Sequence, residues 1–245
     1  MFYKFVTTVL FLYILHPANA LADVRVVINS QSFSYTDNPR LAEVLAPVAG
    51  PHWYWPAAAL YQLDNNEPEQ LRQLILQQLT AFAEQQQDNH RQLAAVQRIK
   101  GELSGWQLAK RIRIPIDYDL ARTKAEFNPR FEDGDYLLRL TMRPSSVYAF
   151  GLLEFSRKLT HLGAADVTAY LPELKLLAGA DKSRIYIIQP DGQTSIASIA
   201  YWNKQHREVM PGGQLFIPFA TEWFATAADS LNQQIIELAT HRVLP

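Results

Sequence analysis

Carboxylates in this chain come in two close pairs, Asp117 with Asp119 and Asp133 with Asp135. Glycoside hydrolysis needs two carboxyl groups facing each other across a cleft, about 5 to 9.5 Å apart. Two residues at a spacing of two on one strand share a face and cannot flank a substrate. The second pair falls in the turn Asp133-Gly134-Asp135, and pairing Asp119 with Glu132 would be arbitrary. Solvated or turn-capping carboxylates are the expectation. A Gly-x-Ser-x-Gly nucleophile elbow does not occur. Gly179-Ala180-Asp181-Lys182-Ser183 ends like a phosphate-binding loop but lacks a glycine before the lysine and the upstream glycine, so it reads as a turn. His52, His90, His161, His206 and His241 show no pairing at helical ligand spacing, and cysteine is absent. Neither a metal site nor a thiol nucleophile is expected. The sequence therefore points to no catalytic residue, no metal and no cofactor.

Binding is the chemistry these residues support better. Sugar rings present apolar faces that aromatic side chains cover, while polar groups fix orientation. Trp53, Tyr54, Trp55 and Tyr61 form one aromatic group, and Trp202, Asn203 and His206 form a second, mixed group. Arg111 lies beside an alternating strand, where its planar fork could hold a carboxylate or a sugar acid bidentately. An ion pair with Asp117 or Asp119 is an equal alternative. The candidate ligand-binding residues are thus Trp53, Trp55, Tyr61, Arg111, Trp202, Asn203 and His206. Packing in a core or between domains outweighs binding as the reading of Trp55 and Trp202, whereas His52 and Trp53 are expected to be exposed.

The elements that must position these groups fall into two similar halves. Val24–Ile28 and the alternating stretch 32–35 read as a hairpin turning at Asn29-Ser30-Gln31. Pro39 then opens a short helix with Leu41, Val44 and Leu45 on one face. Two strands followed by a helix is how a β-grasp domain begins. Residues 66–104 carry Leu71, Leu74, Ile75, Leu79 and Phe82, and then Leu93, Val96, Ile99 and Leu103, at helical spacing on either side of a polar break. This is a helical hairpin, with Asn66 as its cap and Pro68 in its first turn. Ile112, Ile114 and Ile116 alternate as a half-buried strand, and 135–140 is another.

The second half offers a strand at 147–153, a short helix from Val167, the hairpin strands Arg184–Ile188 and 194–200, and a last strand from Gln214. Glycine turns at Gly134 and at Gly212-Gly213 feed the final strand of each half, so the plan reads as a degenerate repeat with the helical hairpin inserted in the first copy. Phe224, Ala228, Leu231, Ile235 and Leu238 make a closing amphipathic helix, with few basic residues on its polar face. It is expected to pack on the protein's own surface.

The first twenty residues stand apart. Lys4, the apolar run 5–15 and Ala18-Asn19-Ala20 follow the order of a cleavable secretory signal, with cleavage expected after Ala20. The run is short of the roughly 20 residues a membrane span needs, and without cysteine there is no lipid anchor. Losing Lys4 takes the formal charge from −1 to −2. With no basic stripe, a nucleic-acid partner is excluded on charge grounds. After Ala20 no segment is long and apolar enough to span a membrane. An exported chain without disulfides must rely on its core, and 48% of its residues are apolar.

Tyr54-Trp55-Pro56, Asp117-Tyr118-Asp119, Arg122, Asn128-Pro129, Gly134-Asp135-Tyr136, 177–182 and Trp202-Asn203-Lys204 occur in order and near-constant spacing, followed by His206, Glu208, Pro211-Gly212 and Leu231-Asn232. Arg111 fits the same pattern. In this set the chain resembles the GfcC-type capsule biosynthesis proteins. It departs from them at Ala57, at 154–158 and in one extra residue before Gly134. The resemblance implies an α+β fold of two β-grasp domains, the second similar to the soluble ligand-binding β-grasp type. It implies a signal peptide at 1–20, a first domain at 21–142 with its hairpin insertion at 66–104, a second at 146–220 and a C-terminal helix at 221–245. It further implies a non-catalytic periplasmic accessory protein for capsule or exopolysaccharide biosynthesis, assembly or export. Its partner would be polysaccharide or the outer-membrane polysaccharide export machinery. The rival readings are a polysaccharide-modifying enzyme and a module that contacts only protein.

Overall fold

The computed structural model describes residues 23–50, 52–85, 89–202, 205–224 and 227–244, so the expected leader lies outside the described residues. Strand β1 (Val24–Ile28) alternates buried and exposed positions. The chain turns at Asn29, whose φ of 54° is a conformation asparagine tolerates better than most residues. The Asn29 Oδ1 accepts the Leu140 N–H at 3.0 Å, tying the turn to residue 140 in the chain beyond Leu138, which pairs with Ile28. β2 (Gln31–Tyr35) returns antiparallel. Helix α1 (Leu41–Leu45) buries Leu41, Val44 and Leu45, and Asn128 holds its first turn by accepting the Ala42 N–H at 2.9 Å. β3 (Ala59–Gln62), α2 (Glu67–Gln85), α3 (His90–Ser104), β4 (Lys110–Ile112), α4 (Tyr118–Thr123) and β5 (Gly134–Arg139) complete the first half.

The second half runs β6 (Ser146–Gly151), β7 (Arg157–Thr160), a 3-10 helix at Val167–Glu173, β8 (Arg184–Ile188), β9 (Thr194–Ser198) and β10 (Gln214–Ile217). Helices α5 (Thr221–Phe224) and α6 (Ala227–Thr240) close the chain. The result is an α+β protein with two five-stranded mixed sheets, ordered β2-β1-β5-β3-β4 and β7-β6-β10-β8-β9. The two orders trace one path. In each half the opening pair is antiparallel, the last strand runs parallel to the first at the centre, and the third strand bridges the last and the fourth. The repeat read from the sequence is present strand for strand. At the centre of the second sheet, Gly151 has a φ of +105°, and a Cβ there would lie 2.3 Å from the Ile217 carbonyl oxygen. Only glycine permits that approach.

The hairpin α2–α3 leaves the chain between β3 and β4 of the first sheet but does not pack there. Its buried residues Ile75, Leu79, Phe82, Val96, Ile99 and Leu103 join one core with Phe150, Leu152, Phe216 and Phe219 of the second half and Leu231, Ile235 and Leu238 of α6. Trp106, just past the hairpin, stands edge-on to Phe150 with ring centroids 5.2 Å apart. The first sheet keeps a smaller core of its own, built on Val24, Val26, Leu41, Leu45, Leu60 and Leu138. Helix α6 is locked by Asn232, which is fully buried. Its side chain accepts the Phe219 N–H and donates to the Phe219 carbonyl, both at 2.9 Å. Among the described residues no helix is long and apolar enough to cross a membrane.

Several expectations need correction. β3 and β7 are strands that the sequence pattern did not reveal. The alternation through Ile116 forms a ladder only at Lys110–Ile112, because the chain leaves the sheet edge before Pro115, which has no N–H to donate. Asp117 and Asp119 are not on a strand: Asp117 caps α4, accepting the Leu120 N–H at 3.0 Å, and Asp119 lies in its first turn. At the start of α2 the side chain that accepts an N–H is Asn65, not Asn66. Leu74 points away from the hairpin's buried face and is 45% exposed.

Ile99 is fully buried among residues of both halves. Ile99→Ala should therefore cost about 2–5 kcal/mol in urea unfolding. Amide exchange should quicken in β6 and β10 as well as in α3, which separates this arrangement from a hairpin that packs only on itself.

Candidate functional site

The two halves meet at the edge strand β4. Its central residue, Arg111, is 9% exposed, and Tyr61, its cross-strand partner on β3, is 4% exposed. The Arg111 backbone N–H donates to Nδ1 of His241 at 3.0 Å. Its guanidinium donates through Nη2 to the carbonyl of Pro190, in the turn between β8 and β9. The guanidinium also sits over the Tyr61 ring, 5.8 Å from its centroid, while the Tyr61 hydroxyl donates to the Arg242 carbonyl at 3.2 Å. Gly192 leaves room for this packing: a Cβ there would stand 3.2 Å from Arg111 Nε, and its φ is +90°. The tail after α6 pairs alongside, with Ala109 N–H to His241 O at 3.1 Å and Val243 N–H to Gln107 O at 2.9 Å.

Burial governs the electrostatics of this junction. It pushes the Arg111 guanidinium below its ordinary value, against the opposing pull of Tyr61 and Asp191. It raises the Tyr61 phenol, opposed by Arg111 and Arg139. His241 is pushed down by burial, opposed chiefly by Glu237. Because its Nδ1 accepts a backbone N–H, its proton sits on Nε2, 3.3 Å from Glu237 Oε1.

A cavity of about 390 Å³ opens between the sheets, within the usual range of small-molecule sites. Among the described residues its lining includes Tyr61, Arg111, Arg139, Thr141, Arg143, Tyr148, Lys158, Gln214 and Arg242, with five cations and no carboxylate. The remaining cations sit over aromatic rings in three cases, Arg143 over Tyr54, Lys158 over Tyr148 and Arg242 over Trp106. A second groove of about 650 Å³ lies beyond the Arg111–Pro190 contact, lined by Trp55, Arg113, Asp117, Asp191 and Gln193 among others. Its two carboxylates both hold turns, Asp117 as the cap of α4 and Asp191 by accepting the Gln193 N–H at 2.9 Å. Among the described residues no group of three His, Asp or Glu is placed to hold a metal ion.

Two family profiles match this chain: capsule biosynthesis GfcC, N-terminal, over residues 20–143, and capsule biosynthesis GfcC C-terminal over residues 156–244. The chain belongs to the GfcC capsule biosynthesis family. It is also similar to the uncharacterized protein YjbG of Escherichia coli strain K12, with 31% identity over 216 residues, 88% of this chain and 87% of that protein.

In this GfcC chain the junction gathers only some of the residues singled out from sequence. Tyr61 and Arg111 line the cationic cavity, and Trp55 lines the neighbouring groove while packing on the first core. Trp53 is not exposed as expected. It is half-buried on that core, and its indole N–H donates to the Val48 carbonyl at 2.8 Å. Arg111 makes no ion pair with Asp117 or Asp119; Asp119 faces Arg122 instead, at 3.6 Å. Trp202 does not pack: it is 81% exposed, beside Tyr201 at 100%, at a separate pocket with Asp181, Lys182 and Arg184. Asn203 lies outside the described residues. His206 is exposed and meets Glu208 at 3.0 Å. Arg139, Arg143, Lys158 and Arg242 were missed because no spacing links them; only the packing of the two halves and of the tail after α6 brings them together.

The lowered affinity of His241 for a proton sets a direction for pH dependence. The unfolded chain takes up a proton near pH 6.5, which the folded state resists. Stability is full above that pH and declines as pH falls below it toward the folded value. His241→Gln should flatten this decline, measured as Tm against pH between about 8 and 5.

Proposed function

We propose that this GfcC-family protein is a non-catalytic periplasmic accessory protein of capsule or exopolysaccharide biosynthesis, assembly or export, which binds polysaccharide where its two halves meet. The observation that carries this reading is the inter-sheet cavity, whose lining offers five cations, two tyrosines and several hydroxyls but no carboxylate. Such a lining can hold a polar, anionic ligand and lacks the facing acid and base of a glycosidase. Periplasmic location follows from the leader-like order of residues 1–20, with cleavage after Ala20. The same reading takes each half as a β-grasp domain, bounded near 142 and 146, the second of the soluble ligand-binding type. It is supported by the two-strand opening, the intervening helix and the parallel central pair in each sheet.

A protein partner has its own supporting observation, the exposed Tyr201 and Trp202 on one loop of the second half. Outer-membrane polysaccharide export machinery is the partner class in this reading. An enzymatic role in the neighbouring groove would use Asp117 and Asp191, both of which are already engaged in local turns.

A strain lacking the gene is expected to lose surface or secreted polysaccharide, and purified protein is expected to leave the polymer's chain length and substituents unchanged. Undiminished polymer in the deletion strain would sink the accessory role. Turnover abolished by Asp117→Asn or Asp191→Asn would replace it with an enzyme.

A further inference from the structure

Among the described residues, three that line the inter-sheet cavity each carry a buried polar atom with no hydrogen-bond partner: Arg111 Nε, Thr141 Oγ1 and Gln214 Oε1. Gln214 is 5% exposed and Arg111 9%. Its amide nitrogen already donates to Ala239 O at 3.1 Å, which fixes the Gln214 oxygen as the unpaired end. A buried polar group left without a partner is destabilising, so this wall is incomplete as a purely structural surface. All three atoms are shielded from water in this conformation, so a ligand would reach them only if neighbouring side chains moved aside. The missing partners have defined chemistry. Arg111 Nε needs an acceptor, Gln214 Oε1 needs a donor, and the Thr141 hydroxyl takes either.

The charge around them is one-sided. Among the described residues none of Arg111, Arg139, Arg143, Lys158 or Arg242 is in an ion pair with a carboxylate. Each of the two tyrosines in the lining already has a cation over one face, Arg111 over Tyr61 and Lys158 over Tyr148, and Tyr61 is buried. Ring stacking is therefore not what this cavity offers; Trp55 in the neighbouring groove is the side chain suited to that. A ligand that brings a carboxylate to the cations and hydroxyls to Gln214 and Thr141 meets every unmet requirement.

We propose that the inter-sheet cavity is selective for an acidic sugar residue, recognising its carboxylate through Arg111, Arg139 and Lys158 and its hydroxyls through Thr141 and Gln214. This rests on the polysaccharide-binding reading and narrows it to acidic polymers. Calorimetric titration of the purified protein with oligogalacturonate, with its methyl ester and with inorganic phosphate tests it. Oligogalacturonate should bind more weakly as salt is raised, and the uncharged ester at least roughly tenfold less tightly than the acid. Arg139→Gln and Lys158→Gln, at less buried positions than Arg111, should each weaken the acid roughly tenfold without lowering the Tm. Equal binding of acid and ester, with both variants unaffected, overturns the acidic specificity and leaves polymer binding standing. Displacement of the acid by equimolar phosphate overturns the saccharide part. Absence of binding by either saccharide overturns both readings.

Discussion

Everything at the junction depends on where the helical hairpin buries its apolar stripe. α2 and α3 belong by sequence to the first half, yet Ile75, Leu79, Ile99 and Leu103 lie in the core of the second sheet. Removing such side chains from water is worth about 1.5–3 kcal/mol each, and the stripe as a whole outweighs the few hydrogen bonds at the junction itself. That burial fixes one sheet against the other. Only with the sheets fixed can Arg111 reach the carbonyl of Pro190 and five cations converge on one cavity. Like charges so arranged repel, and the convergence holds because packing elsewhere imposes it.

The C-terminal segment supports the same constraint from the other side. α6 fills the remaining face of the second core, and Asn232 satisfies both backbone groups of Phe219 at the end of the last strand. The tail then crosses to the strand of Arg111, where His241 and Arg242 contact Arg111 and Tyr61. The segment that completes one core thus also closes the wall of the cavity, coupling the site to the helix by a neutral imidazole and two backbone carbonyls.

Periodicity made much of this architecture readable. Val24, Val26 and Ile28 marked β1, the hairpin's stripe was visible at helical spacing, and Leu231, Ile235 and Leu238 marked the last helix as one that packs on its own chain. What was hidden had physical reasons. β3 is a four-residue strand mostly buried on both faces, so it shows no alternation. β7 is an edge strand with one buried residue, Leu159, and an otherwise polar surface. Which sheet the hairpin packs on could not be read from its own stripe, because an apolar face does not name its partner. The site was half visible: Tyr61 and Arg111 stood out by type, but Arg139, Lys158 and Arg242 meet only through the packing of the two sheets and the tail after α6. Trp202 misled in the other direction: its type suggested packing, although the polar run from Asn203 to Glu208 that follows it agrees with its place in solvent.

The displaced hairpin also sets an order of events in time. A chain emerging from its N-terminus exposes α2 and α3 before any strand of the second sheet exists, and domains ordinarily fold in the order they emerge. Here the first sheet can close on its own small core, while the hairpin's apolar stripe must wait for β6, β8, β10 and finally α6. Until α6 arrives the chain carries an uncovered greasy surface, so it is this helix that completes the shared core.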